Sequence, residues 1–77
     1  MNIEELRNEI DKIDNKMLRL LNKRLELVHD VGLIKKKNQE PIYRPEREKE
    51  IISKLKRASK GKMNKDAIKA IFQEIFA

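Results

Sequence analysis

The chain has 77 residues, a mass of 9.2 kDa and a net charge of +6, from 19 Lys+Arg against 13 Asp+Glu. A single domain of this size removes only about 60% of its unfolded surface from water, so size alone argues for a partner chain. The absence of cysteine excludes disulfides, thiol nucleophiles and thiolate metal sites. The single histidine, His29, excludes a His-based zinc cage and argues against a Ser-His-Asp triad, and two glycines leave no Gly-rich phosphate loop.

Ile3, Leu6, Ile10, Ile13, Met17, Leu20, Leu27, Val31 and Ile34 recur at spacings of three and four and fill the inward positions of a heptad. The skipped slot holds Arg24. A second stripe, Leu18, Leu21, Leu25 and Val28, widens the apolar face in the middle. No proline interrupts residues 3–37, so the pattern predicts one long helix of roughly 50 Å. The 40 remaining residues cannot cover so long an element, and its widened middle predicts burial against another copy of itself.

Lys36 to Pro41 predicts a loop, because a residue before proline is pushed out of helical geometry. Pro45 suits the first turn of a second helix, with Glu46, Glu48 and Glu50 early, Lys54, Lys56 and Arg57 late, and Ile51, Ile52 and Leu55 inward. Ser59 to Lys62 predicts a second loop. Asn64 suits the cap of a third helix whose inner stripe is Ile68, Ile71, Phe72, Ile75 and Phe76. That stripe is still running at Ala77 with no stop signal, which leads us to expect a third helix truncated at its C-terminal end. The expected fold class is all-α, one long helix and two shorter ones, in a single domain over residues 1–77.

Excess positive charge attracts anions, whether nucleic acid, acidic membrane or a small polyanionic metabolite. The N-terminus MNIEELRNEI is not a signal peptide, and no stretch approaches the roughly 18 apolar residues of a membrane span, so a cytoplasmic protein is the default expectation. Glu4, Glu5, Glu9, Asp11, Asp14, Glu46, Glu48 and Glu50 break up any basic stripe. Aromatics are only 4%, too few to stack bases, so a nucleic-acid-binding module is disfavoured. A non-catalytic helical dimerisation module agrees with the heptad but explains Arg24 only as a register device.

Arg24 sits in the seam among Leu20, Leu21, Leu27 and Val28, where a guanidinium without a partner is costly. It either snorkels to solvent, pairs with a carboxylate, or faces an anion. Lys35 lies 11 residues on, close to three turns, and so on nearly the same face roughly 16 Å away; the alternative is a solvated charge at the helix end. Glu48 continues the stripe of Ile51, Ile52 and Leu55 and either points inward or complements the helix dipole. Arg47 reaches the same place or solvent, and Arg7 lies beside the seam. Arg7 is roughly 25 Å from Arg24 within one chain. In an antiparallel pair of long helices crossing near Leu18, however, it falls opposite about position 29 of the other copy, between Arg24 and Lys35. Two equivalent sites would result, each with cations from both subunits.

The ordered set Leu6-Arg7-x-x-Ile10-x-x-Ile13-Asp14, Leu20-Leu21-x-x-Arg24, Val31-Gly32-x-x-Lys35 and Pro41-Ile42-x-x-Pro45-x-Arg47-Glu48 resembles the all-helical chorismate mutase domain. The resemblance covers nearly the whole chain and is strongest over residues 6–52. It implies an intertwined homodimer with antiparallel long helices, and rearrangement of chorismate to prephenate on the route to phenylalanine and tyrosine. It implies no cofactor and no metal. Its residue roles are these: Arg7 from the partner subunit and Arg24 bind the two substrate carboxylates, Lys35 contacts a carboxylate and the ether oxygen, Glu48 binds the ring hydroxyl, and Arg44 adds a backbone contact there. Arg47 joins the substrate-binding set. The family often has an acid where this chain has Arg44. Its late third-helix glutamine, aligned through Phe72, would fall beyond Ala77, and Gln73 is too early to replace it. The resemblance therefore leads us to expect substrate binding with poor turnover, and an N-terminal part of a bifunctional enzyme such as chorismate mutase/prephenate dehydratase.

Overall fold

The computed structural model describes residues 1–76, which form three helices and no strand: α1 (Ile3–Lys37), α2 (Pro45–Ala58) and α3 (Lys65–Phe76). The helical boundaries expected from the sequence are therefore found. The expected truncation of the third helix at Ala77 lies outside the described residues. The chain divides into two compact units, one up to Glu40 and the other from Pro41 onward.

The first unit is α1 with its ends. The helix runs 35 residues, roughly 52 Å. Asn2 caps it: its Oδ1 accepts the Glu5 N–H at 2.8 Å, while its Nδ2 donates to Glu5 Oε1 at 3.4 Å. Glu4 and Glu5 in the first turn and Lys35, Lys36 and Lys37 in the last complement the helix dipole at both ends. The helix then stops abruptly. Gln39 donates its N–H to the Lys36 carbonyl and Glu40 donates to the Lys35 carbonyl at 2.8 Å, satisfying two of the last orphan acceptors in a Schellman closure. That closure requires a left-handed residue, and Gln39 takes it at φ 58°, where a side chain costs about 1–2 kcal/mol. Gln39→Gly is expected to stabilise the fold by roughly 0.5–1 kcal/mol, since glycine enters that region freely but loses more chain entropy. A midpoint in urea that stays put or falls would show that the strain is absent.

No residue of α1 is buried. Thirteen large apolar side chains along it, from Ile3 to Ile34, are between 47% and 69% exposed. Helices owe most of their stability to packing an apolar face, and each such side chain gains about 1.5–3 kcal/mol on full burial. This face is the part of the molecule that most needs covering.

The second unit is α2 packed on α3. Pro45 opens α2, where its missing N–H is no loss. Ile51, Ile52 and Leu55 are half-buried against α3, whose Ile68 is the one buried apolar residue among those described, 4% exposed. Phe72 and Phe76 meet with ring centroids 6.2 Å apart and planes tilted by 55°, a favourable aromatic geometry. Ile71, expected on the inner stripe, is 43% exposed. Two helices can cover only one side of each other, and Ile71 lies on the flank that α2 leaves open. The connection holds two left-handed residues, Lys60 and Gly61. It ends at Asn64, whose Oδ1 accepts the N–H groups of Asp66 at 2.8 Å and Ala67 at 3.1 Å, confirming the expected cap.

Candidate functional site

Four charged residues among those described are half-buried: Arg24, Lys35, Glu48 and Lys56. Three of them are the residues that the sequence placed on apolar stripes. In the first unit, Arg24 and Lys35 stand on one side of α1, about 16 Å apart along its axis. Gly32, also half-buried, lies between them in sequence, and a Cβ added there would meet nothing within 4 Å. Position 32 thus leaves open space beside the helix, in line with the exposed Val28 and Val31 that separate the two cations. Arg7 is exposed near the start of the same helix. One straight helix keeps Arg7 roughly 25 Å from Arg24, so a single chain does not bring the three together.

In the second unit, Glu48 stands on the first full turn of α2, half-buried on the side of Ile51, Ile52 and Leu55. Its carboxylate forms no ion pair among the described residues. Arg44 precedes the helix with φ −135° and ψ 88°. Its carbonyl accepts the N–H groups of Arg47 at 3.0 Å and Glu48 at 3.4 Å, whereas its own N–H makes no hydrogen bond among the described residues. The Arg44 side chain turns outward, with Nε 3.7 Å from Glu46 Oε1. A backbone donor is therefore available beside Glu48 whatever the side chain at position 44.

Arg47 is exposed and occupied elsewhere. Its guanidinium lies 3.0 Å from Glu50 Oε1, and Lys54 Nζ approaches the same oxygen at 3.0 Å. The hydrogen bond and charge of Lys54, then the charge of Arg47, hold the Glu50 carboxyl below its ordinary value of 4.5. Because the folded value is the depressed one, this ladder stabilises the fold above the unfolded value and is lost as pH falls through the folded one. A carboxyl-carbon NMR titration is expected to place Glu50 below its ordinary value of 4.5. A midpoint at or above that value would mean that the ladder does not persist in solution.

A cavity of about 690 Å³ opens between α2 and α3. Glu48 lines it from α2, with Lys49, Ile52 and Lys56; Lys69, Gln73 and Phe76 line it from α3. Gln73, which the sequence set aside as too early in the helix, thus shares a cavity with Glu48. The sequence reading placed none of Lys49, Lys56 and Lys69 at a site, and only the i, i+4 spacing of Lys69 and Gln73 hinted at a shared face. Among the described residues no group of three or more His, Cys, Asp or Glu side chains could hold a metal ion, and no helix is long and apolar enough to cross a membrane.

Residues 6–77 match the family described as chorismate mutase type II. A bifunctional chorismate mutase/prephenate dehydratase from Aquifex aeolicus is 44% identical over 79 residues, covering 97% of this chain but 22% of that protein. A chorismate mutase from Methanocaldococcus jannaschii is 43% identical over 58 residues, 75% of this chain and 59% of that one. Among solved structures, chorismate mutase from Thermus thermophilus superposes with a TM-score of 0.92 at 35% identity, covering 96% of this chain and 92% of that chain. The chain therefore spans about a fifth of the length of the bifunctional relatives it matches.

Proposed function

We propose that this chain, which belongs to the chorismate mutase type II family, rearranges chorismate to prephenate in phenylalanine and tyrosine biosynthesis, acting as a homodimer of antiparallel long helices. The observation that carries the proposal is the pair Arg24 and Lys35, half-buried on one side of a helix whose apolar face is otherwise uncovered. A second copy laid antiparallel on that face covers the apolar residues. It also brings Arg7 of the partner subunit toward the stretch between Arg24 and Lys35, closing two equivalent sites.

The reaction is an isomerisation within one molecule. The ether C–O bond breaks as a C–C bond forms, and no atom is gained, lost or protonated. The protein supplies conformation and charge. Arg7 of the partner subunit and Arg24 grip the two carboxylates and hold the flexible side chain over the ring, lowering the entropy of reaching the reactive pose. Lys35 contacts a carboxylate and faces the ether oxygen, stabilising the negative charge that grows there in the transition state. Glu48 accepts the ring hydroxyl, and the vacant Arg44 N–H donates to it. Arg47 adds positive charge at the mouth while remaining on Glu50. A net charge of +6 draws in a dianion. Residues 1–77 serve as one mutase domain, and its place is the cytoplasm, with no nucleic-acid or membrane partner.

The test is chorismate loss with the purified chain, alongside a thermal-shift titration with chorismate. Turnover above the uncatalysed rate, with a rise in melting temperature, is the expected result. Absence of both turnover and a shift at millimolar chorismate overturns the reading.

A further inference from the structure

The α2–α3 cavity leaves cations over. Lys49 and Lys56 from α2 and Lys69 from α3 all line it, and none of the three pairs with a carboxylate among the described residues. On another side of α2 the basic residues are matched, Arg47 and Lys54 both resting on Glu50. Three unmatched ammonium groups around one cavity repel one another, and the half-buried Lys56 is the least screened of them. An anion removes that repulsion.

The cavity is also polarised along its length. Residues 59–64 connect the two helices, so Lys56 and Lys69, each within about a turn and a half of that connection, stand toward the same end. Glu48 is eight residues before Lys56, roughly 12 Å nearer the other end. Ile52 lines the wall between them, and Tyr43 and Phe76, before the start of α2 and at the end of α3, line it toward the Glu48 end. The Lys56–Lys69 end carries cations alone, whereas the other end pairs the acceptor Glu48 with Lys49; a ring with a carboxylate on one side and a hydroxyl on the other meets both ends.

We propose that this cavity is a second binding site, selective for small hydroxyaryl carboxylates, in which Lys56 and Lys69 take the carboxylate, Tyr43 and Phe76 flank the ring and Glu48 accepts the hydroxyl. It goes beyond the proposed catalytic reading: its anion is held by lysines that the rearrangement does not use. The two sites share Glu48, so an occupant of the cavity raises the KM for chorismate.

The experiment is titration of the isotope-labelled chain with 4-hydroxyphenylacetate and, separately, with its uncharged amide, followed by amide NMR shifts. The acid is expected to shift residues of α2 and α3 and to bind at least ten-fold more tightly than the amide. Lys56→Ala with Lys69→Ala is expected to weaken it at least ten-fold while leaving chorismate kcat within two-fold. Equal affinity for acid and amide, no binding at 10 mM (on the order of 3 kcal/mol at most), or indifference to the double substitution each overturns the proposal. So does loss of binding in Arg24→Ala with the lysine variant unaffected, because the acid would then occupy the proposed catalytic site. Chorismate turnover is measured independently, so failure of this site and failure of the mutase reading give different results.

Discussion

Arg7→Ala and Arg24→Ala chains, each expected to be nearly inactive alone, should recover about a quarter of wild-type activity when denatured together and refolded in equal amounts. The arithmetic follows from the proposed symmetry. Random pairing makes about half of the dimers mixed. In a mixed dimer one site receives both substitutions and the other receives neither. Half of the pairs then carry one intact site of two. The structure motivates the test directly, because α1 holds Arg7 and Arg24 roughly 25 Å apart within one chain, while thirteen exposed apolar side chains invite a second helix to lie alongside. Each single variant loses a charge-assisted contact to a carboxylate, a loss on the order of 10²-fold or more in kcat/KM. If the refolded mixture remains as inactive as its components, Arg7 does not serve across a subunit boundary and the shared site is wrong.

Lys35→Ala is expected to lower kcat by about 10²–10³-fold with a much smaller change in KM. The substitution deletes the cation proposed to face the ether oxygen, and removal of one preorganised donor to a developing negative charge costs about 3–4 kcal/mol in comparable sites. The split between kcat and KM carries the information: charge on the oxygen is larger in the transition state than in bound chorismate, so the loss falls on the chemical step. Lys35 also sits in the last turn of α1, where it complements the helix dipole. Losing that contribution alters stability by only about 0.3–1 kcal/mol, which a melting curve separates from catalysis. A kcat within ten-fold of wild type would remove Lys35 from the chemistry.

How far the sequence reached can be seen in particular residues. The bounds of α1 were legible because a 3–4 spacing ran unbroken to Ile34 but for the slot at Arg24 and ended in a polar stretch before Pro41. The manner of its ending was not: the closure uses Gln39, where the usual signal is glycine, so backbone geometry and not composition marks the stop. Arg24, Lys35 and Glu48 were legible as charges interrupting apolar stripes, and all three are half-buried. Arg47 was ambiguous because its i, i+3 neighbour Glu50 offers a surface partner that the sequence could not weigh against an inward path. The lysines of the α2–α3 cavity were hidden, since periodicity gives the face of each helix but not how two faces cross. Ile71 was misplaced for the same reason.

The uncovered stripe of α1 has one further consequence. In the proposed dimer a single helix supplies both the adhesive that joins two chains and the charges that hold the substrate. Output per molecule then depends on how crowded the solution is: thinning the protein separates the pairs, and each separated chain carries only a fragment of a pocket. Any substitution that loosens the joint throttles the chemistry at low abundance, even when every residue facing the substrate is intact.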